Sequence, residues 1–131
     1  MADQISAIIA DLEGVAESVI IDLTLEMTAN LVEDTPIDIG WARANWIPAI
    51  GSPPILAQSG DPDAGDVSIA VSRQSSGQAE VLTYKIDSGP VFVSNNAPYI
   101  RRLNDGWSKQ APAGFVQISM ERAISTVMRS S

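Results

Sequence analysis

Residues 3–33 of the chain read DQISAIIADLEGVAESVIIDLTLEMTANLVE, and they carry one apolar stripe at helical spacing. The stripe recurs every three or four positions, at Ile5, Ile8, Leu12, Val15, Val19, Leu23, Met27 and Leu31. This period predicts a single long amphipathic helix, with Gly14 as its weakest position. At about 1.5 Å per residue the helix is roughly 46 Å long. That length is large for a domain of 131 residues, so we expect part of the stripe to pack on something beyond the chain's own core.

Short segments separated by turn residues follow this helix. Thr35-Pro36 ends it, because a residue that precedes proline avoids the helical region. Residues 41–45 favour a helical turn that leads into an extended piece at 46–50. Residues 91–94 (VFVS) are typical of a strand. Proline at position 98 favours the start of a short helix, which we expect to run to Asn104.

The middle and the end of the chain differ in how clearly they predict structure. Residues 67–72 alternate apolar and small side chains, which predicts a strand, whereas residues 74–86 fit neither period. Residues 51–66 are rich in Gly, Pro and Asp, and we expect a long loop that is mobile until a partner orders it. A last helix is predicted after Gly114, with an apolar stripe at Val116, Met120, Ile124, Val127 and Met128.

These elements predict one α+β domain over residues 1–131, since this length is typical of a single domain. In it, the long N-terminal helix and the C-terminal helix pack on a small, mainly antiparallel sheet, and a long loop leaves the core. No apolar run is long enough to span a bilayer, and the first residues lack the basic flank of a signal peptide. We therefore expect a soluble protein without an export signal of its own.

The chain has no cysteine and no histidine. This excludes a disulfide framework, a cysteine nucleophile and a Ser-His-Asp triad, and it removes the commonest metal ligand. The acidic loop at 61–66 lacks the fifth and twelfth ligands of a helix–loop–helix calcium site. Asp22 and Glu26 share a helix face, but nothing nearby in sequence supplies the cleft that an acid–base pair needs. We expect no enzyme activity, no cofactor and no metal.

Charge is unevenly distributed along the chain. The net charge is −8, with −11 over residues 1–66 and +3 over residues 67–131. An acidic chain is a poor general binder of nucleic acid, which needs a cationic surface to displace counterions. The asymmetry permits a head-to-tail contact between copies. The simpler interpretation is a solvated acidic helix face combined with chance composition.

The basic doublet Arg101-Arg102 lies between Tyr99 and Trp107. Aromatic and basic side chains in this order suggest an alternative function, a small nucleic-acid-binding accessory protein with a single-strand platform. A salt-bridged helix or an interface explains the doublet equally well. The tryptophans at 41, 46 and 107 stand in turn-rich surroundings, so they either anchor interfaces or close the core from its loop side.

Two stretches resemble the signature of a known family. The first is TPIDIG at 35–40, with Arg43, Trp46, Gly51 and Pro53 after it. The second is VFVSNNAPY at 91–99, followed by Leu103 and by GWSKQAPAG at 106–114. Both resemble blocks of the small tail-completion proteins of long-tailed bacteriophages, which are also called neck or head–tail joining proteins. Ile39 replaces the usual polar residue of the first block, and residues 59–80 align with nothing in the family.

The resemblance implies a non-enzymatic virion protein whose copies form a ring, most often sixfold, between the tail tube and the head connector. It implies contacts with other copies and with the adjacent neck and tail-tube proteins, after assembly in the host cytoplasm. It implies no membrane contact and no nucleic-acid contact beyond DNA in the channel. It also implies a helix ahead of the Asn-Asn block, within 74–86. The predicted interface residues are Trp41, Arg43, Trp46, Asn95, Asn96, Tyr99, Arg101, Arg102, Trp107 and Lys109.

Overall fold

The long N-terminal helix packs both on a small sheet and on the C-terminal helix. The computed structural model describes residues 2–36, 40–55, 67–106 and 111–130. The elements in these ranges are α1 (Ala2–Asp34), α2 (Trp41–Ala44), β1 (Ile47–Ile50), α3 (Ser68–Val81), a 3₁₀ turn (Ile86–Ser88), β2 (Val91–Ser94), α4 (Ile100–Asn104) and α5 (Phe115–Ser130). The two strands pair antiparallel, with Ile47 opposite Ser94 and Ile50 opposite Val91. This architecture confirms the predicted α+β class.

Most elements lie where the sequence places them. The long helix, the helical turn after it and both predicted extended segments at 46–50 and 91–94 are present, with boundaries shifted by a residue or so. The short helix begins at Ile100, after a turn at Pro98 and Tyr99. Of the predicted loop at 51–66, residues 51–55 are irregular, and the remainder lies outside the described residues.

The helices α1 and α5 pack against each other in antiparallel orientation. Near the end of α1, the Asn30 side-chain amide donates to the carbonyl of Ser119, over 3.3 Å. Later in α5, Val127 borders a groove together with Asp22 of α1, so α5 runs back toward the start of α1. Ser119 and Ala123 are completely buried. Their small side chains allow a close approach of the two helices.

Another side of α1 faces the sheet. Ile20, Leu23 and Thr24 line a recess on that side. Met27 lines it together with Tyr84 and with Val91 of β2. The C-terminal half of α1 therefore lies between the sheet and α5, and it forms the centre of the fold.

The predicted strand at 67–72 is wrong, because α3 occupies this segment from Ser68 onward. The bulky Ile69 and Val71 are exposed on this helix, whereas the small Ala70 and the distant Val81 are fully buried. The alternation that suggested a strand thus comes from side chains that make no core. The helical periodicity of this segment comes mostly from small residues, so a pattern of bulky apolar positions does not reveal it.

α3 is held tightly on β1 by a glycine. A Cβ placed on Gly77 would lie 2.2 Å from the carbonyl oxygen of Pro48, which is far inside van der Waals contact. Only glycine therefore allows this approach of helix and strand. The helix that the resemblance implies within 74–86 is present as far as Val81.

The C-terminal helix packs differently from its predicted stripe. Phe115, Ser119 and Ala123 are the buried residues of α5. By contrast, Met120, Ile124 and Met128 of the predicted stripe are 39%, 44% and 70% exposed. Much of the apolar stripe of this helix therefore faces outward in the single chain, and only Val116 and Val127 of it are partly buried.

Candidate functional site

Arg43 closes the C-terminal end of α1. Its Nε donates to the carbonyl of Thr35 over 2.8 Å, and its Nη2 donates to the carbonyl of Glu33, also over 2.8 Å. The last turn of α1 contains no basic residue of its own. A cation near the free carbonyls of a helix end satisfies them and opposes the helix dipole. The planar fork of arginine suits two acceptors at once.

Trp46 belongs to the same junction. Its indole N–H donates to the hydroxyl of Thr35 over 2.7 Å, and its ring is only 5% exposed. Buried tryptophan requires such a partner for its N–H. Within a single copy, the side chain of Trp46 is therefore part of the core.

The two asparagines of the second motif fasten it to the first. The Asn95 amide donates to the carbonyl of Ala42 over 2.7 Å, and its side-chain oxygen accepts from the N–H of Ala97 over 3.0 Å. The Asn96 amide donates to the carbonyl of Pro54 over 2.5 Å. The two sequence blocks, about fifty residues apart, thus meet in one hydrogen-bonded unit, which we call the motif junction.

Sequence reasoning missed one member of the motif junction, Gln74. Its side-chain amide donates to the carbonyls of Arg43 at 3.1 Å and of Trp46 at 2.9 Å. It lies between Ala70 and Gly77 on the buried face of α3. A helical reading of residues 67–81 would have placed this polar residue on that face, but the alternating pattern concealed it.

The remaining predicted interface residues lie nearer the surface. The rings of Trp41 and Tyr99 pack together, with centroids 5.8 Å apart and planes at 55°, and both residues are partly exposed. Arg101 and Arg102 are exposed on α4. Trp107 and Lys109 lie outside the described residues.

The N-terminal part of α1 has no cover within the described chain. Every residue from 2 to 15 is exposed. We call this segment the apolar arm, because its large apolar side chains are between 50% and 64% exposed; they are Ile5, Ile8, Ile9, Leu12 and Val15. At about 1.5 Å per residue, the arm is roughly 20 Å long.

An open groove of about 1030 Å³ lies beside the arm, between α1 and the end of α5. Asp11, Asp22 and Glu26 line it, together with apolar residues that include Val19 and Val127. Asp22 is exposed, so the pair with Glu26 stands at an open surface rather than in an enclosed cleft.

Metal and membrane sites find no support among the residues that the structure describes. There, no set of three or more carboxylates lies close enough to hold a metal ion. The acidic loop at 61–66 lies outside the described residues. No described helix combines the length and the apolar composition that a membrane span requires.

The chain has no significant match to a protein-family model, a curated protein or a solved structure.

Proposed function

We propose that the chain is a structural protein of a tailed-phage virion, where its copies form a ring at the head–tail junction. The observation that carries the proposal is the motif junction. The residues that carry the resemblance are far apart in sequence, yet Thr35, Arg43 and Trp46 meet one another and Asn95 contacts the same helical turn. Motifs that define a common fold are expected to pack together in this way, even when they are far apart in sequence.

The exposed surfaces support a role in assembly. The apolar arm and the row formed by Met120, Ile124 and Met128 on α5 are two different apolar surfaces on one chain. Monomeric proteins rarely expose large contiguous apolar patches. Two different patches also suit a heterologous contact, which closes into a ring when the rotation between copies permits it.

The same proposal assigns no catalytic activity to the chain. With no histidine or cysteine, acid–base or nucleophilic chemistry would depend on carboxylates, lysine, serine or tyrosine. Asp22 and Glu26, the pair weighed from sequence, line an open groove where water keeps both charges solvated. The partners in this proposal are further copies, most often six in total, and the neck and tail-tube proteins on either side.

Deletion of the coding sequence from the phage or prophage that carries it tests this function. We expect filled heads and finished tails that do not join, and restoration of joined virions by the wild-type chain. Immunogold labelling of intact virions should place the protein at the neck. Normal, infectious virions from the deletion strain, or label confined to another part of the particle, would contradict the proposal.

Oligomer mass gives a second test that needs only purified protein. A sixfold ring has a mass of about 83 kDa, six times the 13.9 kDa of one chain. Light scattering combined with negative-stain microscopy should detect rings of that size, free or on isolated tails. Strong, salt-sensitive retention on DNA without any ring would instead favour the nucleic-acid-binding alternative.

A further inference from the structure

The outer edge of β2 has unpaired main-chain groups. Gly51 and Pro90 continue the strand register by one residue, and the Gly51 N–H donates to the carbonyl of Pro90 over 2.8 Å. Hydrogen-bonded and non-hydrogen-bonded pairs alternate along an antiparallel ladder, so the N–H and C=O groups of Val91 and Val93 point away from β1. Within the described residues, no third strand pairs with β2 and no other hydrogen bond reaches these groups.

The opposite edge of the sheet is closed. α3 lies against it, with Gly77 packed on the carbonyl oxygen of Pro48, and proline has no N–H to offer a further strand. All four residues of β2 are instead partly exposed. Unpaired N–H and C=O groups along a strand edge are a template for another extended chain. In the part of the chain that the structure describes, β2 is therefore the place where a strand can be added to the sheet.

The sequence around β2 does not guard this edge with charge. Natural edge strands often carry lysine or other charged side chains that prevent pairing between copies. Residues 88–100 contain no charged residue, although the chain has a net charge of −8. Two copies of this stretch therefore meet without like charges opposite each other, which would oppose pairing. A second β2 is thus a suitable partner strand, since it is uncharged, rich in β-branched and aromatic residues, and has the same unpaired groups.

We infer that β2 pairs antiparallel with β2 of a second copy, about a twofold axis at Phe92. In this register Val91 of each copy lies opposite Val93 of the other, and their outward groups form four hydrogen bonds. Phe92 then faces its counterpart in a non-hydrogen-bonded pair, where side chains approach most closely and aromatic pairs stabilise a sheet. The two sheets join into one sheet of four antiparallel strands.

The space beside β2 suits this arrangement. Val91 and Val93 line a recess of about 360 Å³ between the sheet, α1 and Tyr84. Directly opposite residues share a face of a sheet, so the valines of the second strand lie on the recess side as well. The lining is mostly apolar and includes Leu23 and Met27. The valine side chains of the added strand therefore meet apolar surface.

Cysteine cross-linking tests the twofold pairing, because the chain has no cysteine of its own. Phe92→Cys places two thiols in a non-hydrogen-bonded pair, with Cα atoms about 4.5 Å apart, which is within disulfide range. Ser94→Cys is the matched control, since Ser94 is also partly exposed and lies on the same face of β2. In the inferred register its two copies are about 14 Å apart along the strands, too far for a disulfide.

We expect Phe92→Cys to form linked dimer about tenfold faster than Ser94→Cys at equal protein concentration, because pairing holds its thiols together. Circular dichroism checks that both variants fold. Equal rates for the two variants overturn the inference, since the edge is then left to another partner strand. Faster linking of Ser94→Cys also overturns it, because the copies would then pair in another register.

Proline at position 91 tests the main-chain bonds. The Val91 N–H points away from β1, and Val91 is the first residue of β2, where proline is tolerated. Val91→Pro therefore removes two of the four inferred bonds between copies and none within the chain. Added to Phe92→Cys, it should slow linking about tenfold. Val91→Ala, which keeps the N–H, should slow it less, and equal effects of the two substitutions overturn the main-chain pairing.

This inference goes beyond the proposed function, because a β2 pair is isologous and does not by itself build a ring. Rings at the neck without Phe92→Cys links refute the β2 contact and leave the function standing. Phe92→Cys links in a protein whose deletion leaves virions normal refute the function and leave the contact standing.

Discussion

At Thr35, four hydrogen bonds meet in one fully buried residue. Its N–H and its hydroxyl both donate to the carbonyl of Leu31. Its hydroxyl also accepts from the Trp46 indole, and its carbonyl accepts from Arg43. The backbone supplies two of these bonds, and threonine supplies the other two because its hydroxyl both donates and accepts. The end of α1 and the start of the sheet are therefore tied together by one side chain.

Replacing Thr35 with valine tests this junction, because valine keeps the shape and removes the hydroxyl. The Trp46 N–H would then be buried without an acceptor, at a cost of about 1–3 kcal/mol. Urea denaturation should show that loss as a lower midpoint with an unchanged slope. Thr83→Val is the control, since the Thr83 hydroxyl bonds at an exposed turn. Equal effects of the two changes would contradict the assigned role of Thr35.

Arg43→Lys is a second test at this scale. A lysine ammonium is a point charge, so we expect it to lose one of the two carbonyl contacts made by the guanidinium. The expected loss of stability is about 1–3 kcal/mol, measured by thermal unfolding. Arg73→Lys, on the exposed side of α3, should leave the midpoint almost unchanged. If Arg43→Lys changed the unfolding midpoint no more than Arg73→Lys does, the positive charge and not the two-acceptor geometry of the guanidinium would account for the contact.

At the scale of elements, the sequence predicts the positions of most helices and strands well, but it predicts poorly which of their faces are buried. α1, β1, β2 and α5 were all predicted from bulky or β-branched residues. The pattern of residues 67–72 predicts a strand where α3 begins, because the packing face of this helix is Ala70, Gln74 and Gly77, whose burial no hydrophobicity pattern reveals. The sequence identifies the two blocks that form the motif junction as a family signature. It does not predict the hydrogen bonds between them, because only the tertiary fold brings these residues together.

Two glycines in helices provide a matched pair of predictions. Gly77→Ala places a methyl group 2.2 Å from the carbonyl oxygen of Pro48, and we expect destabilisation of about 1–3 kcal/mol from this overpacking. Gly14→Ala meets nothing within 4 Å in α1. It should stabilise the helix by up to about 1 kcal/mol. If chemical denaturation shows that both substitutions change the free energy of unfolding in the same direction, this would contradict the different packing assigned to Gly77 and Gly14.

On the scale of the whole molecule, charge and exposed apolar surface are both concentrated unevenly. Residues 1–66 carry a net charge of −11 and residues 67–131 carry +3. Three of the eight acids of α1 lie in the apolar arm, and the other five follow it along the helix. In the proposed head-to-tail contact between copies, the acidic N-terminal half of one copy would meet the net basic C-terminal half of the next.

Assembly should therefore weaken as salt rises, because charges are screened over about 10 Å at 0.1 M. Reversing Arg101 and Arg102 to glutamate should slow assembly, with the neutral glutamine pair intermediate between wild type and the reversal. Sedimentation of the three proteins across a salt series measures both effects. A rate of assembly that ignores salt and charge would mean that the uneven charge has no role in association.

The order in which the chain is synthesised gives the acidity of α1 a further significance. α1 leaves the ribosome first, yet Ser119, which bonds Asn30, lies 89 residues later in the chain. At 5–20 residues per second, the part of α1 on which α5 packs stays uncovered for roughly 4–18 s before α5 is made. Eight carboxylates without a single base give every nascent helix the same charge. Mutual repulsion among emerging chains thus opposes aggregation through this part of α1 until its own C-terminal helix is available.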